Sequence, residues 1–204
     1  MKRKIGLFCG TFNPIHNGHL MMCNYILGHY GLDDIILVVS PDSHFKKHTH
    51  LAKFNTRISL CVSATIDDDR FMVSSIEDEL PKPSYTYQTL EYFKNQYDKI
   101  EFVLIIGADN LVGLSEFKNV EYILSNFRIM VCPRNGIDCR MYVDELYRNF
   151  GDIDIKGIEL IEGIPDVGLS STFIRNEVAN GKSIKYYVPE NIETSVEIEY
   201  GRKE

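Results

Sequence analysis

Two histidines near the amino terminus have the side chains and the spacing best suited to phosphate chemistry. His16 and His19 lie three positions apart, where a glycine-containing loop enters a predicted helix. The loop reads Gly10-Thr11-Phe12-Asn13-Pro14-Ile15-His16-Asn17-Gly18-His19. Residues at this spacing share one face of a helix, and the first turn presents free N–H groups and a positive dipole end. We therefore predict that both imidazoles donate hydrogen bonds to the phosphate groups of a ligand.

Other interpretations of this loop are weaker. It lacks the Gly-Lys-Ser/Thr of the common triphosphate-binding loop and the three set glycines of the dinucleotide fingerprint. No third ligand accompanies His16 and His19, which argues against a zinc site. Gly10 lets the backbone approach a ligand closely. A surface or helix-capping role for the two histidines remains the alternative to phosphate binding.

A second candidate anion site lies near the carboxyl terminus, in Leu169-Ser170-Ser171-Thr172-Phe173-Ile174-Arg175. Either Ser170 or Ser171 suits a helix N-cap, and the hydroxyls and N–H groups there, with Thr172, form a pocket for an anion. Arg175 lies one turn inside that helix and can bind phosphate oxygens with two N–H groups. Taken alone, the pattern is a weak signal for phosphate binding, and simple helix capping explains it better.

A third source of positive charge follows the second predicted strand. Lys46, Lys47 and His48 lie in Ser40-Pro41-Asp42-Ser43-His44-Phe45-Lys46-Lys47-His48. A flexible ammonium group at that edge of a sheet can reach a β- or γ-phosphate. The alternative is two solvated lysines, and of the three cations we favour Lys46 as the phosphate contact.

Strands and helices alternate along the chain. Apolar runs and turn residues predict strands at residues 5–9, 35–39, 71–74, 100–106, 128–132 and 155–161. Helices are predicted at residues 17–30, 51–66, 86–97, 119–124, 139–149, 171–180 and 189–200. This alternation predicts an α/β fold with a doubly wound, mostly parallel sheet and a small helical C-terminal portion. We expect residues 1–204 to form one domain, with ligands bound beyond the carboxyl ends of the strands.

Composition limits the classes of function. The chain has 204 residues, of which 44% are apolar and 25% charged, as in an ordinary globular domain. The net charge of -7 argues against nucleic acid and favours small phosphorylated ligands held by a local site. Five cysteines without a CxxC pair suggest buried thiols rather than zinc or disulfides. No run approaches the roughly 20 apolar residues of a membrane span, and the N-terminal apolar run is too short for a signal peptide. We expect a cytoplasmic protein without a membrane partner.

The two anion sites together resemble the signature of the nucleotidyltransferase superfamily with an HxGH-type motif. More closely, they resemble the nicotinate-mononucleotide adenylyltransferase family, and the similarity extends over roughly residues 4–200, including 181–189. The resemblance implies a Rossmann-like nucleotidyltransferase fold whose C-terminal part, at about residues 165–200, completes an ATP site. It implies ATP contacts from Gly10, Thr11, Phe12, Gly18, Ser170, Ser171 and Thr172. It also implies catalytic roles at the phosphates for His16, His19, Lys46 and Arg175.

The resemblance further implies residues that bind the acceptor, a pyridine mononucleotide. Ser84, Tyr85 and Thr86 begin a predicted helix with Thr86 as its cap, and they match the family's Ser-Tyr-Thr segment that lines the pyridine nucleotide pocket. Gly107 and Asp109 follow the strongest predicted strand and match a Gly-x-Asp motif. The carboxylate there either accepts hydrogen bonds from ribose hydroxyls or caps a helix.

Four further positions bear on the choice of acceptor. Arg134 matches an Arg-x-Gly element and either binds phosphate or shapes the pocket. Phe117 lies where the family has Trp-containing variants, and its ring can stack on the pyridine. Asn13, an expected acceptor contact, replaces the Asp frequent in bacterial members, and Cys9 replaces a frequent Gly. Asn also occurs at this position in eukaryote-like relatives that accept nicotinamide mononucleotide.

The implied activity is transfer of AMP from ATP to nicotinate mononucleotide, giving deamido-NAD and pyrophosphate. The 5′-phosphate of the acceptor attacks the α-phosphorus in line, so no protein nucleophile is needed. A Mg²⁺ ion bridging phosphate oxygens needs no dedicated cage of protein ligands. Nicotinamide mononucleotide, phosphopantetheine or a cytidylyl-transfer substrate remain alternative acceptors, and a non-catalytic nucleotide-binding module is a third hypothesis. The sequence leaves open whether the chain forms a homo-oligomer.

Overall fold

The central sheet of the computed structural model is parallel throughout. The structure describes residues 2–41, 50–134, 136–165 and 168–201, and the sheet that these residues form has six strands. They are β1 (Arg3–Gly10), β2 (Asp34–Val39), β3 (Phe71–Ser74), β4 (Ile100–Gly107), β5 (Arg128–Cys132) and β6 (Ile158–Leu160). Their order is β3-β2-β1-β4-β5-β6, and every neighbouring pair is parallel.

This order creates a crevice at the centre of the sheet. The chain moves outward from β1 through β2 to β3, then crosses back to place β4 on the other side of β1. The connections leave β1 and β4 in opposite directions, so a gap opens beyond the carboxyl ends of these two strands. Doubly wound sheets bind their ligands in such a gap.

Helices cover both faces of the sheet. Within the described ranges they are α1 (Asn17–His29), α2 (Phe54–Ala64), α3 (Thr86–Gln96), α4 (Ala108–Val112), α5 (Val120–Asn126), α6 (Cys139–Asn149), α7 (Ser171–Ala179) and α8 (Glu193–Tyr200). Helices α1, α2, α7 and α8 share one hydrophobic core with the sheet, and α3 to α6 share the other. The first and last helices of the chain therefore lie on the same face. None of these helices is long and apolar enough to cross a lipid bilayer.

The strands are apolar on both sides because both faces are covered. All six residues of β2 are buried. In β1, Leu7 belongs to one core and Phe8 to the other, and Leu104 and Ile105 of β4 divide in the same way. The continuous apolar runs in the sequence therefore predicted central strands correctly, and the α/β doubly wound fold is confirmed.

Some element boundaries differ from the sequence prediction. Strand β6 has three residues rather than the predicted 155–161, because Lys156 donates to Leu124 outside the ladder and Gly157 has a φ of 123°. Residues 189–200 divide into a 3₁₀ turn at Glu190–Ile192 and helix α8. Helix α4 was not predicted as an element. Further 3₁₀ turns lie at Ile76–Asp78 and Leu114–Glu116.

Candidate functional site

A cavity of about 360 Å³ opens at the carboxyl edge of the sheet, beside the crevice between β1 and β4. This volume suits a small-molecule site. The predicted residues that line it are Gly10, Thr11, Phe12, Asn13, His16, Gly18, His19, Ser84, Thr86, Gly107, Asp109, Phe117, Arg134, Ser170, Ser171, Thr172 and Arg175. The structure thus brings the amino-terminal loop and the start of α7 together around one space, although they are far apart in the sequence.

Two predicted site residues are not placed in this cavity. Tyr85 does not line it: the side chain is exposed and its ring stacks on that of Tyr87 at a centroid distance of 6.2 Å. Its expected contact with the acceptor is therefore not supported by the geometry. Lys46, together with Lys47 and His48, lies outside the described residues, so its phosphate contact stays a prediction from the sequence.

The two histidines cap helix α1 for each other. His16 is the N-cap of α1, and its Nδ1 accepts a hydrogen bond from the N–H of His19 at 3.3 Å. In return, Nδ1 of His19 accepts from the N–H of His16 at 3.3 Å. The rings stack with centroids 3.6 Å apart and planes inclined by 22°. Since an Nδ1 atom that accepts a hydrogen bond carries no proton, each neutral imidazole has its proton on Nε2.

The Nε2 atom of His16 is available to hydrogen-bond a ligand. Its Nε2 is buried and, within the part of the chain that the structure describes, has no hydrogen-bond partner. Buried donors without a partner are rare in native structures and call for an explanation. Because His16 lines the cavity, an oxygen atom of a bound ligand can accept a hydrogen bond from this N–H group.

The imidazoles are neutral in the free protein. Burial, with a smaller effect of the nearby Arg134 charge, lowers the pKa of His16 to about 3. The pKa of His19 is also lowered well below its ordinary value, chiefly by burial and then by His16 and Arg134. Both rings therefore donate as neutral N–H groups at pH 7. An anionic phosphate against the rings would raise both pKa values, because it favours the charged form.

Glycines at two positions make room for this arrangement. A Cβ atom on Gly10 would lie 3.0 Å from the Phe12 ring, and one on Gly18 would lie 3.0 Å from Nδ1 of His16. Phe12 has a φ of 45°, in the left-handed region that bulky residues avoid, and its ring meets that of His19 edge-on at 5.2 Å. Backbone held in such a conformation is concentrated at functional sites. Gly18 therefore makes room for the His16 ring, and Gly10 makes room for the Phe12 ring that packs on His19. A direct contact of either glycine with ATP stays a prediction.

The start of α7 is tied to the amino-terminal loop. Ser170 is the N-cap, with its Oγ 3.2 Å from a backbone N–H group in the first turn. The hydroxyl of Ser171 donates to the carbonyl oxygen of Pro14 at 2.8 Å. The guanidinium of Arg175 donates to the carbonyl oxygen of Asn13 at 2.7 Å. Of the two serines predicted as the cap, Ser170 fills that role, and Ser171 holds the loop.

Asn13 has a different environment from the one expected of a ligand contact. The residue is 1% exposed, and its amide nitrogen donates to the carbonyl oxygen of His50 at 2.8 Å. The amide oxygen accepts from the N–H of Ala52 at 3.1 Å and from the hydroxyl of Tyr200 at 2.6 Å. Both lone pairs of this oxygen are thereby used by protein donors. Any contact of Asn13 with the acceptor must therefore come from other atoms of the residue.

Arg57 is a structural residue of the site that the sequence prediction missed. It is fully buried in α2, and its guanidinium donates to the carbonyl oxygens of Thr11, Ser40, Pro41 and Ala52. The loops that follow β1 and β2 are thus joined by one side chain. The position of this charged residue on the apolar face of a predicted helix was the available signal, since arginine is almost never fully buried without partners.

The start of α3 forms part of the opposite wall. Ser84 and Thr86 line the cavity, as predicted. The N-cap of α3 is Tyr85 rather than the predicted Thr86, and the N–H of Tyr85 donates to Oε1 of Gln88 at 2.7 Å. The N–H groups of this first helical turn face the same edge of the sheet as the histidines, and they can receive a carboxylate or a phosphate.

The same side of the cavity also contains carboxylates. A Cβ atom on Gly107 would lie 2.6 Å from Oδ1 of Asp109, so this carboxylate folds back over the end of β4. Glu77, which the sequence prediction missed, is 5% exposed, lines the cavity and accepts a hydrogen bond from Thr89 at 3.0 Å. Burial, and then the charge of Glu77, raise the pKa of Cys9 well above its ordinary value. Since Glu77 belongs to the acidic run 77–79, the sequence pattern resembled a solvated turn.

Comparisons with known proteins agree with this geometry. Residues 7–177 match the model of a family described as cytidylyltransferase-like. The chain is 40% identical over 191 residues to the probable nicotinate-nucleotide adenylyltransferase of Flavobacterium johnsoniae, covering 93% of both chains. It is 39% identical over 190 residues to that of Cytophaga hutchinsonii, again covering 93% of both. Among solved structures, nicotinic acid mononucleotide adenylyltransferase of Plasmodium falciparum, complexed with APC, superimposes with a TM-score of 0.75 at 18% identity, covering 97% of this chain and 96% of the other.

The fold, the capped histidine pair and the family match define a nucleotidyltransferase of the cytidylyltransferase-like class. The curated relatives narrow the class further, because they match over nearly their whole length at close to 40% identity. The chain belongs to the nicotinate-nucleotide adenylyltransferase family, and the resemblance drawn from its motifs is confirmed.

Proposed function

We propose that this protein transfers the AMP group of ATP to nicotinate mononucleotide, forming deamido-NAD and pyrophosphate in NAD biosynthesis. The observation that supports it most is the cavity in which the imidazoles of His16 and His19 meet the guanidinium of Arg175. The names of the relatives agree with this activity. So does the complex of the P. falciparum enzyme with NaAD, a protein of the same fold at 16% identity and a TM-score of 0.75.

The chemistry requires positioning and charge stabilisation more than covalent help from the protein. An oxygen of the acceptor's 5′-phosphate attacks the α-phosphorus of ATP, the bond from that phosphorus to the bridging oxygen breaks, and pyrophosphate leaves with the electron pair. His16 and His19 donate from Nε2 to oxygens at the α-phosphate. Arg175, with Lys46 from the sequence prediction, holds the leaving pyrophosphate. Preorganised donors of this kind supply much of the rate enhancement in group transfer.

Magnesium is part of the proposal. No group of three or more His, Cys, Asp or Glu side chains suited to a metal occurs in the described ranges of the chain. The triphosphate itself offers the oxygen ligands that Mg²⁺ prefers, and the ion usually keeps several waters. Asp109 and Glu77 are the carboxylates at the cavity wall that could assist from the protein. When bound, the ion would neutralise charge on the phosphate oxygens.

The acceptor would occupy the wall formed by α3 and α4. The N-terminal turn of α3, with Ser84 and Thr86, would receive its carboxylate, and Asp109 would accept from ribose hydroxyls. Phe117 would stack on the pyridine ring, and Arg134 would contact phosphate. We assign residues from about 165 to 200 as the part that completes the ATP site within a single domain. A cytoplasmic location and the absence of nucleic-acid partners stay predictions from the sequence.

A pyrophosphate-release assay with ATP, Mg²⁺ and each candidate acceptor tests the proposal. We expect the highest kcat/KM with nicotinate mononucleotide, compared with nicotinamide mononucleotide, phosphopantetheine and, with CTP, cytidylyl acceptors. His16→Ala should lower kcat at least about 100-fold, as expected for loss of one transition-state donor. His29→Ala is the matched control, because His29 lies at the exposed end of the same helix. A preference for another acceptor would refute the substrate, and full activity of His16→Ala would refute the role of the imidazole.

A further inference from the structure

The loop that carries the histidines is held in place by residues 50–52 and by Tyr200, which lie outside the predicted site motifs. At Asn13, three segments of the chain meet: the loop itself, residues 50–52 before α2, and the last residue of α8. The connections are the hydrogen bonds from Ala52 and Tyr200 to Oδ1 of Asn13 and from Nδ2 of Asn13 to the carbonyl oxygen of His50. Tyr200 is 187 positions away from Asn13 in the sequence.

The orientation of the Asn13 amide is fixed by two backbone groups. The N–H of Ala52 can only donate, so the atom facing it must be the amide oxygen. The carbonyl of His50 can only accept, so the atom facing it must be the amide nitrogen. The hydroxyl of Tyr200, 2.6 Å from the oxygen, must therefore be the donor in its hydrogen bond. Burial raises the pKa of Tyr200, which keeps this proton in place.

This arrangement requires an amide at position 13. A carboxylate would accept from Ala52 and Tyr200 equally well, but its second oxygen would face the carbonyl oxygen of His50 without a hydrogen between them. Two acceptors in contact, one of them charged and buried, are unfavourable. The hydrogen bond to the carbonyl oxygen of His50 is thus the contact that requires an amide at position 13.

The backbone of Asn13 connects this contact to the candidate ATP site. Its carbonyl oxygen accepts from Arg175 at 2.7 Å, and the next carbonyl, that of Pro14, accepts from Ser171 at 2.8 Å. A shift of Asn13 therefore moves the guanidinium that faces the phosphates. It also moves the loop that leads directly into the His16 cap.

We propose that Tyr200 is a positioning residue for catalysis: its hydroxyl orients Asn13, and Asn13 sets the phosphate loop and Arg175 for ATP. This inference rests on the proposed function of the loop as the ATP phosphate site. Helix α8 is then required for the site although Tyr200 itself does not line the cavity. The pair acts on ATP rather than on the acceptor, because its contacts lead to Arg175 and the histidine loop.

The test compares Tyr200→Phe with a control in the same C-terminal region. Tyr200→Phe removes only the hydroxyl and keeps the ring that packs against His50. The control is Asn191→Ala, which removes a 2.6 Å hydrogen bond from Nδ2 to the carbonyl oxygen of Ser63 in α2. Both variants loosen the attachment of the C-terminal region, but only the first touches Asn13. Measurements are KM for ATP, KM for nicotinate mononucleotide, kcat, and amide hydrogen exchange of residues 10–16.

We expect Tyr200→Phe to raise KM for ATP by about three- to tenfold, the factor that one neutral hydrogen bond provides, with less than a twofold change for the acceptor. Exchange in residues 10–16 should be faster. Asn13→Asp should give the same selective effect, and Asn191→Ala should leave both KM values unchanged. A purely structural role would lower the active fraction, and hence kcat, without changing KM.

The possible failures are distinguishable. Unchanged hydrogen exchange of the loop in Tyr200→Phe, or an equal rise of both KM values, would overturn the positioning role. Faster exchange without any rise in KM for ATP would overturn the assignment of the ATP phosphates to this loop, and the proposed site with it. His16→Ala, assayed in parallel, shows independently whether the loop serves turnover.

Discussion

The buried imidazole of His16 should make the stability of the free protein depend on pH in a window where carboxylates contribute little. Its pKa is about 3 in the folded protein, against an ordinary value of 6.5 when the chain is unfolded. Between these two values the unfolded state binds a proton that the folded state does not, so stability falls as the pH falls. Each pH unit in the window costs about 1.4 kcal/mol. The unfolded histidine is only half protonated at pH 6.5, so from pH 6.5 to 4.5 His16 alone lowers the free energy of unfolding by about 2 kcal/mol. His19 acts in the same direction.

Urea unfolding followed by circular dichroism at several pH values between 7.5 and 4.5 measures this effect. The comparison variant is His16→Asn, because asparagine is a good N-cap and does not titrate. The wild type should lose about 3 kcal/mol more than the variant over this range. Carboxylates with a lowered pKa, such as Asp68, contribute equally to both proteins and cancel in the difference. Tripolyphosphate should reduce the loss in the wild type, since an anion at the rings favours their protonated form.

Parallel pH dependences of the wild type and His16→Asn would refute this reasoning. They would mean that water reaches the ring freely, or that the Nδ1 cap does not restrict protonation. The conclusion that a neutral Nε2–H donor faces the cavity would then be wrong. If the wild type loses more stability than the variant but regains none with tripolyphosphate, the ring is buried as described but does not bind the anion.

Two further substitutions, Gly18→Ala and Arg57→Met, test the packing around the loop, and Gly28→Ala is the control for the first. Gly18→Ala places a Cβ atom 3.0 Å from Nδ1 and 3.1 Å from Cε1 of His16, so it should cost about 1–3 kcal/mol and lower turnover at least about tenfold. Gly28→Ala in the same helix meets nothing within 4 Å and should instead stabilise by about 0.5–1 kcal/mol with unchanged activity. Arg57→Met should cost at least about 3 kcal/mol in urea unfolding, because several buried carbonyls, that of Thr11 among them, lose their donor at about 1–3 kcal/mol each. Equal stability of Arg57→Met and wild type would show that these carbonyls find other partners.

The sequence predicts the centre of the sheet well because β1, β2, β4 and β5 are buried on both faces. The run of residues 102–106 is apolar at every position, which only a central parallel strand or a buried helix explains. Strand β6 was overestimated because Ile155 and Lys156 are apolar or ordinary strand residues in the sequence but lie outside the pairing with β5. Local patterns contain little information about pairing at an edge.

The site was predicted where the chemistry belongs to a local motif. His16 and His19 were singled out by their spacing and by the glycine-containing loop that enters a helix, and the structure shows that this spacing makes each histidine cap the other. Arg57 was missed because apolar spacing in residues 51–66 assigned Val62 to the buried face, whereas the structure exposes Val62 and buries Arg57. Glu77 was missed because it lies in the acidic run 77–79, which resembles a solvated turn. Tyr200 was missed because its partner Asn13 is 187 positions away in the sequence. No periodicity identifies a contact of that kind.

The position of β1 at the centre of the sheet explains why the two ends of the chain build one site. Helix α1 leaves β1 on the face that α7 and α8 also cover, so the loop after β1 lies where the last helices pack. Its local contacts, the reciprocal histidine caps, fix the rings and their tautomers. Its distant contacts, from Arg175 and Tyr200 to Asn13, fix the backbone that those rings depend on. The donors can therefore be neutral and buried before a ligand arrives, because the cost of that burial is met by the fold as a whole rather than by the loop.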